Sequence, residues 1–494
     1  MSAADTAAGP HVAGHARAAA GTEETASVAG LTHEGEGVVH GGKTAFVAGA
    51  LPGERIRFRR TRRHRQHDDG ELLEVLEASP ARVVPRCAHF GVCGGCALQH
   101  LSAEGQLAAK DTELKHTLER VAHVTPDSWL APLAGPEWAY RRRARLGAKF
   151  VRKKGCVVVG FRERAAPYVA QLTRCEVLAG HAGELIAPLA AMLTGLSIRE
   201  QLPQIEVAVA DNATALVLRV LGTPSEADLA RLRTFAATHG VRLYLQPGGL
   251  DSVRELTAAE PRGAAESGGV AESRGAAESR GAAEPGAAAR PSEPLFYRLP
   301  RYGLEMQFAP TDFIQVNGAV NEALVARALE LLELTPSSQV LDLFCGLGNF
   351  TLPLARAARF VVGVEGDSAL VDRARGNARH NGVANAEFHV ANLARAPHGA
   401  LPWMRHAYTH VLLDPPRTGA REVLAAVADL APARVLYISC HPGSLARDVG
   451  VLVHEHGFTL AAAGVVDMFP HTAHVESLAL LKGPRHAART APAA

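Results

Sequence analysis

From Ser338 onward, apolar runs of strand length alternate with amphipathic runs of helix length: Gln339 to Phe344, Phe350 to Ala357, Phe360 to Glu365, Ser368 to Asn381, His410 to Asp414 and Arg434 to Ser439. Such alternation demands a parallel sheet covered on both faces, because each parallel strand is reached only through a crossover. Within it, Val340-Leu-Asp-Leu-Phe-Cys-Gly-Leu-Gly-Asn-Phe350 reads as a buried strand entering a glycine turn and then a helix. Open sheets of this kind bind nucleoside cofactors where such a turn leaves the carboxyl end of a strand. The second strand ends in Glu365, an acidic residue about 20 positions after the glycines and suited to grip ribose hydroxyls. Asn349-Phe350-Thr351 stands where a dinucleotide site needs a third glycine for the pyrophosphate, so S-adenosylmethionine suits this turn better than NAD.

Two more strand ends carry chemistry. Leu412-Leu-Asp414-Pro-Pro-Arg417 has Arg417 where amino-methyltransferases place a base-stacking aromatic, which disfavours exocyclic amine chemistry. Tyr437-Ile-Ser-Cys440-His-Pro442 sets a cysteine at the same edge. A thiolate there can add to C6 of a pyrimidine and make C5 a carbon nucleophile, because an unactivated uracil C5 does not attack a methyl sulfonium. Carbon methylation also needs a base for the C5 proton, and Glu476 in Phe469-Pro-His-Thr-Ala-His-Val-Glu476-Ser477 supplies one.

Seven cysteines, an odd number in a chain without a basic start and apolar run at its N-terminus, argue against a disulfide framework and for metal binding or catalysis. We expect a cytoplasmic protein without membrane association. Cys87-x5-Cys93-x2-Cys96, with Gly94 and Gly95 between the last two, is a metal or cluster knot whose fourth ligand is Cys175 or Cys156. The spacing leans towards a [4Fe-4S] cluster, although zinc remains compatible with spacing alone. Residues 1 to 26 form a disordered tail, and 27 to 80 a small β-barrel of short strands and turns. One amphipathic helix, 98–122, is expected to pack on the catalytic domain. A central α+β region follows, and the near repeat at 257–291, poor in large apolar residues, is a disordered insertion.

The formal charge is only +2, yet seven arginines lie between Arg55 and Arg65 and eight Lys or Arg between Arg141 and Lys154. Segments this dense suggest phosphate neutralisation, with Tyr140 and Phe150 placed to stack on bases.

As a set, Cys87-x5-Cys93-Gly-Gly-Cys96, Phe313-x-Gln315-x-Asn317, Asp342-Leu-Phe-Cys-Gly-x-Gly-Asn349, Asp414-Pro-Pro-Arg417, Ser439-Cys440-x-Pro442 and His474-x-Glu476-Ser477 resemble the S-adenosylmethionine-dependent RNA uracil-5-methyltransferases. The resemblance is to the bacterial 23S ribosomal RNA branch with an iron-sulfur cluster and an N-terminal TRAM domain, and it covers about residues 27 to 482. It implies an α/β fold: a C-terminal Rossmann-like class I methyltransferase domain (301–494), an OB-like TRAM barrel, and a central α+β domain (81–300). It further implies that Cys87, Cys93, Cys96 and Cys175 hold a [4Fe-4S] cluster, that Cys440 is the nucleophile and that Glu476 is the base. Cofactor contacts implied are Gln315, Phe344, Asn349, Glu365, Asn392 and Asp414. The expected partner is 23S rRNA, met by a monomer. Two departures stand out: His441, where the family often has Asn, and the 257–291 insertion. A tRNA uracil-5-methyltransferase and a non-catalytic assembly factor are the alternatives.

Overall fold

The computed structural model describes residues 23–164, 166–257, 293–395 and 401–484. The tail up to residue 22 and nearly all of the 257–291 insertion lie outside them. The chain divides into two compact units, one made of Met1–Arg86, Cys96–Ala109 and His471–His474, the other of Cys87–Gly95, Lys110–Pro470 and Val475–Ala494. Among the described residues no helix is long and apolar enough to cross a membrane.

The first unit holds a closed five-stranded barrel in the order Glu23–Leu31, Glu36–Val39, Ala45–Ala48, Asp68–Glu77, Arg55–Arg63. Alternation of apolar and charged residues turns Val28, Val39, Val47, Ile56 and Phe58 into its core. The first strand begins at Glu23, ahead of the boundary read from sequence, because Glu23 to Ser27 pair in register with Arg59 to Arg55. Glu54, fully buried, closes one end: its carboxylate accepts from Leu51 N (2.8 Å), Ser79 N (3.3 Å) and the Arg82 guanidinium (2.5 and 2.8 Å).

In the second unit, a six-stranded sheet runs Arg254–Glu255, Val241–Gln246, Thr214–Arg219, Gln204–Val209, Arg143–Val151, Cys156–Gly160, with helices Ile186–Thr194 and Glu226–His239 packed on its apolar face. The catalytic-type sheet has the order Ala386–Val390, Phe360–Glu365, Gln339–Leu343, His410–Leu413, Arg434–Ser439, Glu476–Lys482, Thr459–Val466, with a two-residue strand, Ser128–Trp129, at the far edge. The first five of these strands run parallel. Glu476–Lys482 is inserted antiparallel between Arg434–Ser439 and Thr459–Val466. Parallel strands are what the alternation predicts, and the whole sheet is the Rossmann-like arrangement that the resemblance implied. The helix read at 98–122 spans Ala103–Thr117; Ser102 ends the preceding turn, its hydroxyl accepting from Gly105 N (3.2 Å). A π-helical turn, Leu118–Ala122, continues it, and Leu114, Leu118 and Ala122 join the core of the methyltransferase sheet.

Candidate active site

Gln339–Leu343 delivers the chain to the glycine turn, where Phe344 takes a positive φ of 66°. For a bulky side chain this is a strained conformation, of a kind that clusters at functional sites. It is held because the Phe344 and Cys345 N–H groups both donate to the Val364 carbonyl, at 2.8 and 3.1 Å. Gly346 and Gly348 also have positive φ, 54° and 96°. A Cβ built on Gly346 would meet no atom within 4 Å, so the backbone there faces open space into which a ligand can come close. The Glu365 carboxylate lines the same turn, accepting from Gly346 N (3.1 Å), Gly366 N (2.6 Å) and Asp367 N (3.1 Å).

Beneath the turn Asp342 is fully buried. One carboxyl oxygen accepts from Thr351 Oγ1 at 2.5 Å and the other has no partner, an unusual situation for a buried oxygen. Burial pushes this carboxyl up to about 8, with Asp414 and Glu365 adding to the rise against the Thr351 hydrogen bond. Burial likewise takes Asp414 up to about 7. Carboxyl groups held so close to ionisation suit a cationic ligand, and S-adenosylmethionine carries a sulfonium. Gln315 is partly buried on the approach to helix Gly318–Leu332, and Asn392 is exposed beyond Ala386–Val390, its side chain folded onto Ala394 N (3.0 Å). The Asn349 amide is largely committed: it exchanges two 2.9 Å hydrogen bonds with Asn321 and accepts from Tyr297 Oη at 2.9 Å.

Cys440 follows directly on Arg434–Ser439, whose antiparallel register with Glu476–Lys482 runs from Arg434 opposite Lys482 to Ser439 opposite Ser477. Carried on by one residue, that register sets Cys440 opposite Glu476. Glu476 is only 4 % exposed, so it is not the surface carboxylate that a strand end would otherwise supply. Burial and the neighbouring Asp414 raise its carboxyl well above the ordinary glutamate range, with Arg417 opposing. Burial, then Glu476 and Asp414, push the Cys440 thiol up to about 11, again with Arg417 opposing. Asp414 and Arg417 therefore lie close enough to act on both Cys440 and Glu476. Cys345, 5 % exposed and raised well above its ordinary value by burial, has none of the features of a reactive thiol.

The departure at His441 has a simple physical basis. Its Nδ1 accepts from Ser444 N (3.1 Å) and caps helix Pro442–His454, as an Asn carbonyl would.

Cys87, Cys93 and Cys175 lie near enough to act on one another: Cys87 and Cys175 both help burial raise the Cys93 thiol, to about 11, and Cys87 acts likewise on Cys175. Gly95 N donates to Cys93 Sγ (3.4 Å), and the Val177 and Leu178 N–H groups stabilise the Cys175 thiolate. Donors of this kind support thiolate ligands. A Cβ on Gly94 would lie 2.9 Å from the Arg162 carbonyl, so the knot requires its glycine. Cys96 falls in the barrel-containing unit. Cys156 opens a strand opposite Val151 and takes no part in this set.

The charge reading needs correction. Arg57 pairs with Glu23 (2.7 Å) and Glu74 (2.8 Å), Arg59 with Glu23 (3.0 Å), Arg55 with Glu77 (2.8 Å) and Arg60 with Glu24 (2.8 Å) and Asp68 (3.1 Å). Acidic residues on the flanking strands thus neutralise most of the arginine strand. Arg62, Arg63 and Arg65 are exposed at the hairpin tip and form no ion pair among the described residues. In the second segment Arg142 pairs with Asp211 (2.8 Å), Arg143 and Arg145 share Glu206 (3.2 and 3.0 Å), and Arg152 meets Glu200 (3.0 Å). Tyr140 is buried and donates to the Pro470 carbonyl (3.0 Å), and the Arg199 guanidinium lies over the Phe150 ring, 5.0 Å from its centroid. Neither ring is an open stacking platform.

The family tRNA (Uracil-5-)-methyltransferase matches residues 301–483. A 23S rRNA (uracil(1939)-C(5))-methyltransferase RlmD of Xanthomonas axonopodis pv. citri is 47 % identical over 460 residues, covering 92 % of this chain and 96 % of that protein. The protein of the same name from Alkalilimnicola ehrlichii is also 47 % identical, with the same coverage. Among solved structures, the Pyrococcus abyssi tRNA (uracil-54, C5)-methyltransferase in complex with S-adenosyl-L-homocysteine superposes with a TM-score of 0.66 over 92 % of this chain and 99 % of its own; at 22 % identity it establishes the shared fold. With its turn, its strand-end cysteine and its full-length likeness to these relatives, the chain belongs to the family of 23S rRNA (uracil(1939)-C(5))-methyltransferases.

Proposed function

We propose that this chain methylates C5 of uracil 1939 in 23S rRNA through a covalent adduct between Cys440 and C6 of the base. The observation that carries the reading is the register of Ser439 opposite Ser477, which carried on by one residue sets Cys440 opposite Glu476, with Asp414 and Arg417 close enough to act on both. Bound S-adenosylmethionine supplies an electrophilic methyl group on a sulfonium. Phe344, Glu365, Gln315, Asn392 and Asp414 would contact it, and Asn349 shapes the glycine turn through Asn321 and Tyr297.

The uridine must leave its stack, since a paired base cannot present C6 to a thiol. Cys440 gives its proton to solvent water and its sulfur adds to C6; the C5–C6 π pair moves onto C5, conjugated with the C4 carbonyl. C5 takes the methyl group, leaving the bonding pair on the donor sulfur. Glu476 then removes the C5 proton, the C5–C6 double bond re-forms and the Cys440 S–C6 bond breaks. Burial suits Glu476 to that step, because a carboxylate with a raised pKa is a stronger base once ionised. Arg417 favours both anions, the Cys440 thiolate and the Glu476 carboxylate.

Cys87, Cys93, Cys96 and Cys175 are the residues that would hold a [4Fe-4S] cluster; the N–H donors to Cys93 and Cys175 suit that role. The exposed tip carrying Arg62, Arg63 and Arg65 is the part of the barrel suited to contact rRNA phosphates. A protein of this kind acts in the cytoplasm, as a monomer. Incubation with an rRNA fragment and S-adenosylmethionine tests the chemistry: Glu476→Gln should trap a protein-RNA adduct resistant to denaturing gels, and Cys440→Ala should form neither adduct nor 5-methyluridine. Wild-type turnover by Cys440→Ala would exclude the covalent route.

A further inference from the structure

We propose that Arg447 and Asp448 are positioning residues for methyl transfer, a knot that holds the loop bearing Arg417 in place against Cys440 and Glu476. The inference rests on Cys440 being the nucleophile. Three segments meet at Cys440: the strand Arg434–Ser439 that precedes it, the helix Pro442–His454 that follows it, and the loop from Asp414 to Ala420. Asp448 binds all three. It sits on the helix with no exposed surface, and its Oδ2 accepts from Tyr437 Oη on the strand (2.6 Å) and from Ala420 N at the end of the loop (2.7 Å). Its Oδ1 receives the Arg447 guanidinium at 2.7 and 2.8 Å. Arg447 extends the same hand to the loop, donating from Nη2 to the Thr418 carbonyl at 2.9 Å.

The loop is shaped to receive this grip. Gly419 has φ of 85°, and a Cβ there would lie 2.4 Å from Arg447 Nη2 and 2.5 Å from Asp448 Oδ2. Only glycine lets the backbone come so close in that conformation. Thr418 and Gly419, the two points held, directly follow Arg417. A buried carboxylate that lost these donors would be left with uncompensated charge, so the three segments are locked together as a unit.

The lock bears on the chemistry because Arg417 is the cation that acts on both Cys440 and Glu476, against the anions Asp414 and Glu476. Arg447 and Asp448 pair with each other, and the charged groups with the largest effect on Cys440 are Glu476, Arg417 and Asp414. Their influence on the thiol passes through the placement of Arg417, whose neighbours Thr418 and Ala420 they hold.

Alkylation of Cys440 by iodoacetamide as a function of pH, followed on the Cys440 peptide by mass spectrometry in the full-length protein, reads that placement without RNA. In Arg447→Ala the alkylation midpoint should rise by about one unit, and kcat for methyl transfer should fall about tenfold, with S-adenosylhomocysteine affinity within about twofold. Arg447→Lys, which keeps the charge but loses the planar fork, should fall between wild type and Arg447→Ala. Gly419→Ala, which presses on the knot from the loop side, should reproduce the rise if Arg447→Ala proves too unstable to study. A wild-type alkylation profile in Arg447→Ala and Gly419→Ala overturns the proposal, even if melting temperature drops, because the knot would then be fold support alone. If Cys440→Ala still methylates RNA, the nucleophile assignment fails separately, and the alkylation profile still decides whether the knot places Arg417.

Discussion

Affinity for S-adenosylmethionine should rise with pH, and the structure sets the size of the effect. Burial lifts Asp414 to about 7, so in the free protein it takes up or loses a proton near neutrality. A cationic sulfonium favours the carboxylate form, so binding draws a proton off, and affinity is greatest above the free-protein pKa and weakens as pH falls through it. If the ligand binds only the ionised form, affinity follows the ionised fraction: roughly one tenth at about pH 6 and nearly all at about pH 8.5. The expected gain is about tenfold, or about 1.4 kcal/mol. Asp342, taken to about 8, acts in the same direction. Calorimetry in two buffers of different ionisation enthalpy measures both the affinity and the protons released. S-adenosylhomocysteine, a neutral thioether, should show a shallower dependence, and Asp414→Asn should flatten the curve for both ligands. An affinity independent of pH, or one that improves on acidification, would refute the assignment of Asp414 to the sulfonium site.

His441→Asn should keep the cap on helix Pro442–His454 and retain activity within about twofold, whereas His441→Ala should cost about 1 kcal/mol in a denaturant melt. Replacing Arg62, Arg63 and Arg65 together by Ala should weaken rRNA binding and flatten the dependence of log Kd on log salt by about 0.7 to 0.9 for each lost phosphate contact, while Arg57→Ala, whose guanidinium is held by Glu23 and Glu74, should leave that slope unchanged. Cys175→Ser should abolish the iron content and visible absorption of anaerobically purified protein, and Cys156→Ser should leave both intact.

Much of the fold was legible because its strands are apolar runs with turns at their ends: Phe360–Glu365 and Arg434–Ser439 fall at the bounds read from sequence. Cys440, Glu365 and Glu476 stood out because each occupies a strand end or a motif where its chemistry has a use. The antiparallel partner of Cys440 was not legible, since strand order in a sheet depends on long-range packing rather than local period. Nor was the neutralisation of Arg55, Arg57 and Arg59, because Glu23, Glu71, Glu74 and Glu77 reach them only across the barrel ladder. Arg447 and Asp448 carried no sequence signal at all: a charged pair in the middle of a helix reads as solvated until the loop that covers it is in place.

The insertion of Glu476–Lys482 between two strands made before it has a bearing on when the protein can act. During synthesis Arg434–Ser439 and Thr459–Val466 emerge first, and the gap between them closes only when the later strand is threaded in. The nucleophile is then on hand well before its base, and a nascent chain lacking that strand has no means of completing turnover. Full turnover therefore waits on the last-made strand of this sheet, because Cys440 without Glu476 opposite it could add to the base but not release it, the same dead end expected of Glu476→Gln.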